Sequence, residues 1–171
     1  MNGIVVWFTG LPSSGKTTLA QETLEILQAS REHCCLLDGD EVRKCLHPSL
    51  GYDSESRANF YETLGSLAAL LSRQGLTVLV AATAHRRRDR ETARKLARNR
   101  FLEVFVDTPL DECIRRDTKG LYKKAQNGEI ADFPGIHEDY EPPDGDAVLI
   151  SSDAPSSEAH RLVKTIQAGR D

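Results

Sequence analysis

The segment Gly10-Leu-Pro-Ser-Ser-Gly-Lys-Thr17 fits the pattern GxxxxGK[ST] at every defined position. The chemistry of that pattern is the holding of a nucleoside triphosphate by its phosphates. Glycines let backbone N–H groups close around phosphate oxygens, Lys16 is a mobile cation for the outer phosphates, and the Thr17 hydroxyl is placed for Mg2+. Gly10, Leu11, Pro12, Ser13, Ser14, Gly15, Lys16, Thr17 and Thr18 are therefore the candidate phosphate-binding residues, Thr18 as packing or an added contact. A helix beginning here would add its positive dipole end.

A second chemical stretch is "LLDGDEVR". It puts Asp38 and Asp40 at the carboxyl end of a predicted strand, the edge of an open α/β sheet where ligands sit. Two carboxylates there can orient hydrated Mg2+, with Asp38 assisting Thr17 through water, and orient or deprotonate an attacking hydroxyl, the role given to Asp40. An Asp before a helix also caps free N–H groups, a reading open for both. Arg43, in the first turn of the following helix, and Arg57, at the start of the next long one, suit a doubly charged acceptor group through bidentate contacts.

These residues need elements to hold them. "GIVVWFTG" reads as a buried strand ending at the phosphate loop, and Lys16 to about Gln28 as a helix with Leu19, Leu24 and Leu27 on one side. "CCLLDGD", "LTVLVAAT", "FLEVFVDTP" and "AVLISS" are further strands. Helices are predicted from about Ser54 to Arg73, over "RRRDRETARKLARNR", over "LDECIRR" and over "SEAHRLVKTIQ". Strand and helix patterns alternate, which predicts an α/β phosphate-loop NTPase fold: a parallel sheet of about five strands flanked by helices, as one domain over 1–171. The exception is Asp117 to Gly145, roughly 30 residues without an apolar period, a length that in a compact domain points to function.

The 171 residues are 39% hydrophobic and 28% charged, the balance of a soluble globular chain. A net charge of −4 gives no global pull toward nucleic acid or acidic membranes, and no apolar run has the length of a membrane span. With no signal peptide read at the N-terminus, the four cysteines are expected as reduced thiols in a cytoplasmic protein, Cys34 and Cys35 packing as small core residues. Their spacing fits no metal site.

With the phosphate loop and acidic turn, the stretch "VFVDTPLDECIRRDTKGLYKKAQNGEIADFPGIHEDYEPP" resembles the adenylylsulfate kinase family, whose pattern there is "D-T-P-L…C…R-D-P-K-G-L-Y-K-K-A…G-E-I…F-T-G-I…Y-E-P". The resemblance runs from about Gly3 to Ile150. It implies transfer of the γ-phosphate of ATP to the 3′-hydroxyl of adenylyl sulfate, with Mg2+, and a tendency to form homodimers. It implies a mobile lid over about 115–142, in which Arg115, Arg116, Lys119, Lys123 and Lys124 cover the transferring phosphate and exclude water. Phe133 would stack on the acceptor's adenine opposite Tyr52, where the family has phenylalanine in "L-G-F". Arg43 and Arg57 would hold the phosphate–sulfate end, and Lys119 and Leu121 also belong to the implied acceptor site.

Departures from the family cluster in that site. Glu41 replaces the asparagine of "D-G-D-N-x-R". In "RANFYET", against "R-x-E-N-I-R-R", Phe60 stands for a substrate-contacting asparagine and Glu62 and Thr63 for two arginines. In "ATAHRRR", against "F-I-S-P-Y-R", Ala84 falls where some members carry a serine proposed to be phosphorylated, and Arg86 where tyrosine is usual. Ala84 excludes a phosphoserine there and leaves direct in-line transfer. Added acid would repel an anionic acceptor while "HRRR" adds positive charge from another wall. Another charged nucleotide is thus the alternative acceptor, and a non-catalytic nucleotide-binding protein the further alternative. A nucleotide-gated switch would need no second nucleotide pocket. A kinase of nucleic-acid ends would need a basic groove that the charge does not provide.

Overall fold

The apolar runs form strands whose side chains alternate between two packed layers. β1 (Ile4–Thr9) sends Ile4, Val6 and Phe8 into one core cluster and Val5 and Trp7 into the other, as an extended chain must. In this computed structural model, which describes residues 3–46, 51–98, 100–151 and 155–169, β1 is the central strand. It lies between β3 (Thr77–Ala81) and β4 (Phe101–Val106), with β2 (Cys34–Asp38) and β5 (Val148–Ile150) at the edges. All four pairings are parallel, in the order β2-β3-β1-β4-β5, so the expected five-stranded α/β architecture is what forms. Of the domain expected over 1–171, residues 1–2, 47–50, 99, 152–154 and 170–171 lie outside the described set, Leu50 of the "LGY" segment among them.

Parallel neighbours need crossover connections, and helices supply them on both faces. α1 (Lys16–Ala29) and α7 (Pro155–Ala168) bury Leu19, Leu24, Leu27, Leu162 and Ile166 on one face. α3 (Ser54–Arg73) and α4 (Arg87–Leu96) bury Phe60, Tyr61, Leu64, Ala68 and Ala93 on the other. The loops after β1, β2, β3 and β4 thereby emerge along one edge of the sheet, where the candidate residues sit. Among the described residues no helix is long and apolar enough to cross a membrane.

Two sequence readings are corrected here. Asp117 to Gly145 is not irregular throughout: beyond α5 (Leu110–Arg116), α6 (Leu121–Gln126) forms inside it, because both Asp117 carboxylate oxygens accept from the backbone of Tyr122 and Lys123, at 3.0 and 3.1 Å. It buries only Tyr122 and Ala125, too few for a visible period. Arg43 lies in the last turn of the seven-residue α2 (Gly39–Cys45), not the first, since Asp38 and not Asp40 is the N-cap.

The α3/α4 face also buries an ion-pair group. Glu103 on β4 accepts from Arg90 at 2.6 Å and Arg94 at 2.7 Å, with Glu103 and Arg90 only 5% and 1% exposed. Arg90 further donates to the carbonyls of Ala84 and Glu141, tying the loop after β3 to the chain that returns from the lid. Glu103→Ala strands a buried guanidinium and is expected to cost about 3–5 kcal/mol, read as a lower denaturant midpoint.

Candidate active site

The phosphate loop takes its shape from backbone conformations that side chains resist. Gly10 has φ 148°, and a β-carbon there would meet the Val106 carbonyl at 2.6 Å. Gly15, at φ 100°, caps α1 without any side-chain bond, and no acidic residue stands in the first turn of α1. The helix N-terminus therefore offers its N–H groups and dipole to an anion.

Lys16 is nearly buried beneath the loop. Its Nζ donates to the carbonyls of Gly10 at 3.1 Å and Leu11 at 2.7 Å, and to Ser14 Oγ at 3.4 Å. Burial lowers its pKa from 10.5 to about 8, so the charge is held there at a cost and is available to phosphate oxygens. Thr17 donates to Asp38 Oδ2 at 2.8 Å, while Asp38 Oδ1 accepts from the N–H groups of Asp40 at 2.9 Å and Glu41 at 3.4 Å. Capping and site roles thus fall on different oxygens of one carboxylate.

The lid is docked on this loop. Tyr122 donates to the Pro12 carbonyl at 3.0 Å and Arg116 to the Ser14 carbonyl at 3.5 Å, and ahead of the lid Thr108, in the loop after β4, donates to the Ser14 carbonyl at 2.8 Å. The carboxylate of Asp40 meets the ammonium of Lys119, raising the lysine's pKa. Phosphate loop, acidic turn and lid cation therefore share one cleft. Arg115 instead projects to solvent on Glu112, and Lys123 and Lys124 are exposed on α6. Arg116 also pairs with Glu112, whose pKa the two guanidiniums lower to about 2.

On the acceptor side, Arg43 is buried against rings: its guanidinium carbon lies 3.8 Å from the Phe60 centroid and 4.6 Å from that of Tyr52. It also donates to the Gly51 carbonyl at 2.9 Å. Arg57 is buried and faces Glu138 at 3.9 Å. Tyr52 is 61% exposed, whereas Phe133 is 6% exposed, edge-on to Tyr122 at 5.1 Å in a small lid core that Leu121 also joins. Among the described residues the Tyr52 and Phe133 rings do not touch, and the expected grip on a base requires Phe133 to leave that core.

The departures sort by face. Glu41 pairs with Lys44 in solvent, and Glu62 and Thr63 are exposed on the outer side of α3. Phe60 is buried as the platform for Arg43, and Ala84 is fully buried at φ 37°. Arg86 turns inward to Glu138.

Sequence reasoning missed two features. A cavity of about 190 Å³ beside α1 is lined by Gly15, Thr18, Leu19, Val106, Arg116, Ile150 and Ser151, next to the phosphate loop and sized for part of a ring system. Its walls come from four separated segments, and Val106 and Ile150 read simply as strand. The second is the fixed return of the lid: the Tyr140 and Thr9 hydroxyls lie 2.7 Å apart, and the Tyr140 ring stacks on Phe105 at 5.3 Å. The "Y-E-P" at its end was visible, but not its role as anchor.

The sequence profile described as adenylylsulphate kinase matches residues 2–151. The chain is 47% identical to the adenylyl-sulfate kinase of Aeromonas hydrophila over 142 residues, covering 82% of this chain and 72% of that one. It is 48% identical over 141 residues to the bifunctional enzyme NodQ of Rhizobium meliloti, covering 82% of this chain but only 22% of NodQ. The Azospirillum brasilense NodQ is likewise spanned over 25% of its length. Among solved structures, the Mycobacterium tuberculosis APS kinase CysC in complex with AMPPNP and APS superposes with a TM-score of 0.92 at 37% identity, covering 97% of this chain and 98% of that one.

Proposed function

The chain belongs to the adenylylsulphate kinase family, and from that premise we propose that it transfers the γ-phosphate of ATP to the 3′-hydroxyl of adenylyl sulfate, giving 3′-phosphoadenylyl sulfate. One observation carries the reading: Lys119 reaches Asp40 while Tyr122 and Thr108 reach the phosphate loop, so donor, proton acceptor and lid cation meet in one cleft. The adenylyl-sulfate kinases at 40–47% identity support the acceptor, as does the solved relative bound to an ATP analogue and APS. The acidic departures weigh little against it, since Glu41 and Glu62 face solvent.

Lys16 and the loop amides hold the β- and γ-phosphates. Thr17 and Asp38 are two adjacent, accessible oxygen donors, a set that fits Mg2+ shared with substrate phosphates better than an all-protein cage. When bound, the ion would neutralise charge between the β- and γ-phosphates. Asp40 orients the acceptor hydroxyl and takes its proton, and Arg116 and Lys119 offset charge spreading over the phosphoryl group. Arg43 and Arg57 hold the acceptor's anionic end, and Tyr52 with Phe133 grips its base once the lid has opened its small core. The cavity at Thr18, Arg116 and Ile150 takes the base of ATP.

ADP release from Mg-ATP, measured with and without adenylyl sulfate and beside a panel of other nucleotides, tests this. Strong stimulation by adenylyl sulfate is the expected result. Stimulation by another panel member alone would replace the acceptor, and no turnover with intact ATP binding would leave a nucleotide-binding protein.

A further inference from the structure

The lid's return turn carries a carboxylate that phosphate transfer does not use. Glu138 ends a turn closed on itself: Gly135 N–H donates to the Glu138 carbonyl at 2.7 Å, and His137 N–H to the Phe133 carbonyl at 2.9 Å. The turn therefore carries Glu138 and Phe133 together. Three basic side chains converge on the Glu138 carboxylate. Arg86 donates to its two oxygens at 3.1 and 3.3 Å, Arg57 lies 3.9 Å away, and His85 Nε2 is hydrogen-bonded to it.

This pocket holds more cationic capacity than one carboxylate uses. Arg57 and His85 are 7% and 1% exposed; His85 spends its one N–H, on Nε2, on Glu138, and among the described residues the Arg57 Nη1 donor has no hydrogen-bond partner. A buried donor without a partner is costly and marks a place where an acceptor atom belongs. Arg86 is preset by a second bond, its other terminal nitrogen donating to the Ser54 hydroxyl at the start of α3. A single carboxylate has two oxygens for these groups, whereas a sulfate or phosphate has more oxygens and matches the planar guanidinium fork equally well.

Resting on the acceptor reading above, we propose that Arg86 and His85 complete, with Arg57, a pocket for the acceptor's anionic group, and that Glu138 fills this pocket until that group displaces it. Arg86, in the "HRRR" wall, is then a specificity-determining residue. It supplies positive charge to that pocket from the loop after β3. Glu138 is its internal competitor, so acceptor affinity is set by a difference between two anions in one site.

The test uses the whole chain with Glu138→Gln, Arg86→Ala and the double variant, each checked for unchanged ATP affinity. Glu138→Gln keeps a hydrogen-bonding side chain but removes the competing charge, so KM for adenylyl sulfate is expected to fall several-fold with kcat little changed. Arg86→Ala is expected to raise that KM about ten-fold, the scale of one charge-assisted hydrogen bond. Inorganic sulfate, titrated calorimetrically, is expected to bind Glu138→Gln more tightly than wild type and not to bind the double variant. If adenylyl sulfate is turned over but neither single variant moves its KM as stated, Glu138 is only a structural tie and the inference falls while the function stands. If adenylyl sulfate is not turned over, the sulfate titration decides alone: binding lost in the double variant upholds the pocket, and equal binding by all forms overturns it.

Discussion

Lys16→Ala is expected to lower kcat for phosphate transfer by about 10²–10³-fold, the cost of removing one preorganised charge donor from a reacting oxyanion. No neighbouring side chain reproduces its position, since Nζ is fixed under the loop by the carbonyls of Gly10 and Leu11. Burial brings its pKa to about 8, which makes the effect pH-dependent. Below that pH the free protein carries the charge, and ATP affinity is flat. Above it a proton must be taken up for the phosphates to be bound, and wild-type affinity weakens by up to about ten-fold per pH unit. The variant lacks this limb. Stability moves the other way. A lysine whose folded pKa lies below its unfolded value of 10.5 costs stability while charged, and that cost is relieved as pH rises from about 8 towards 10.5. Lys16→Ala is therefore no less stable than wild type at pH 7 on this account, and calorimetric ATP titration with denaturant unfolding separates lost activity from lost fold.

What was legible in the sequence followed locality. Gly10 to Thr17 could be read because the loop's demands are local: glycines at unusual φ, a lysine and a hydroxyl at fixed spacing. The central strands β1, β3 and β4 could be read because both their faces are buried, leaving continuous apolar runs such as "LTVLVAAT". Asp38 was placed in the site on its position at a strand end, and that edge does carry it to Thr17. The convergence on Glu138 was not legible. His85 and Glu138 stand 53 residues apart, and nothing local specifies that the lid's return turn folds back onto the loop after β3. Charge was legible without direction. Glu41 and Glu62 counted as acid near the acceptor, yet their positions on α2 and α3 aim them at solvent, while Arg86 turns inward. Phe133 was assigned by resemblance to a base that this conformation does not admit, because Tyr122 and Cys113 enclose it.

Asp40→Asn is expected to lower kcat by about 10²-fold or more, with ATP affinity unchanged, if the carboxylate takes the acceptor's proton. Asparagine keeps the shape and one acceptor oxygen, so the variant separates basicity from orientation. The backbone of Asp40 stays pinned either way, because its N–H donates to Asp38 and the helix cap survives. Phosphoryl transfer leaves the protein mostly positioning to do, and a loose transition state needs little help removing the proton early. If kcat falls by less than about five-fold, Asp40 orients and does not deprotonate. The pH profile gives an independent reading, since a catalytic base imposes an acid limb on kcat that asparagine abolishes. Lys119 sharpens the distinction. Its ammonium sits on the Asp40 carboxylate in the free protein, and a base in that embrace is blocked. On the proposed reaction the lysine exchanges Asp40 for the phosphoryl oxygens as the acceptor enters. Lys119→Ala is expected to impair kcat through the lost cation while leaving the acid limb in place, because the carboxylate itself remains.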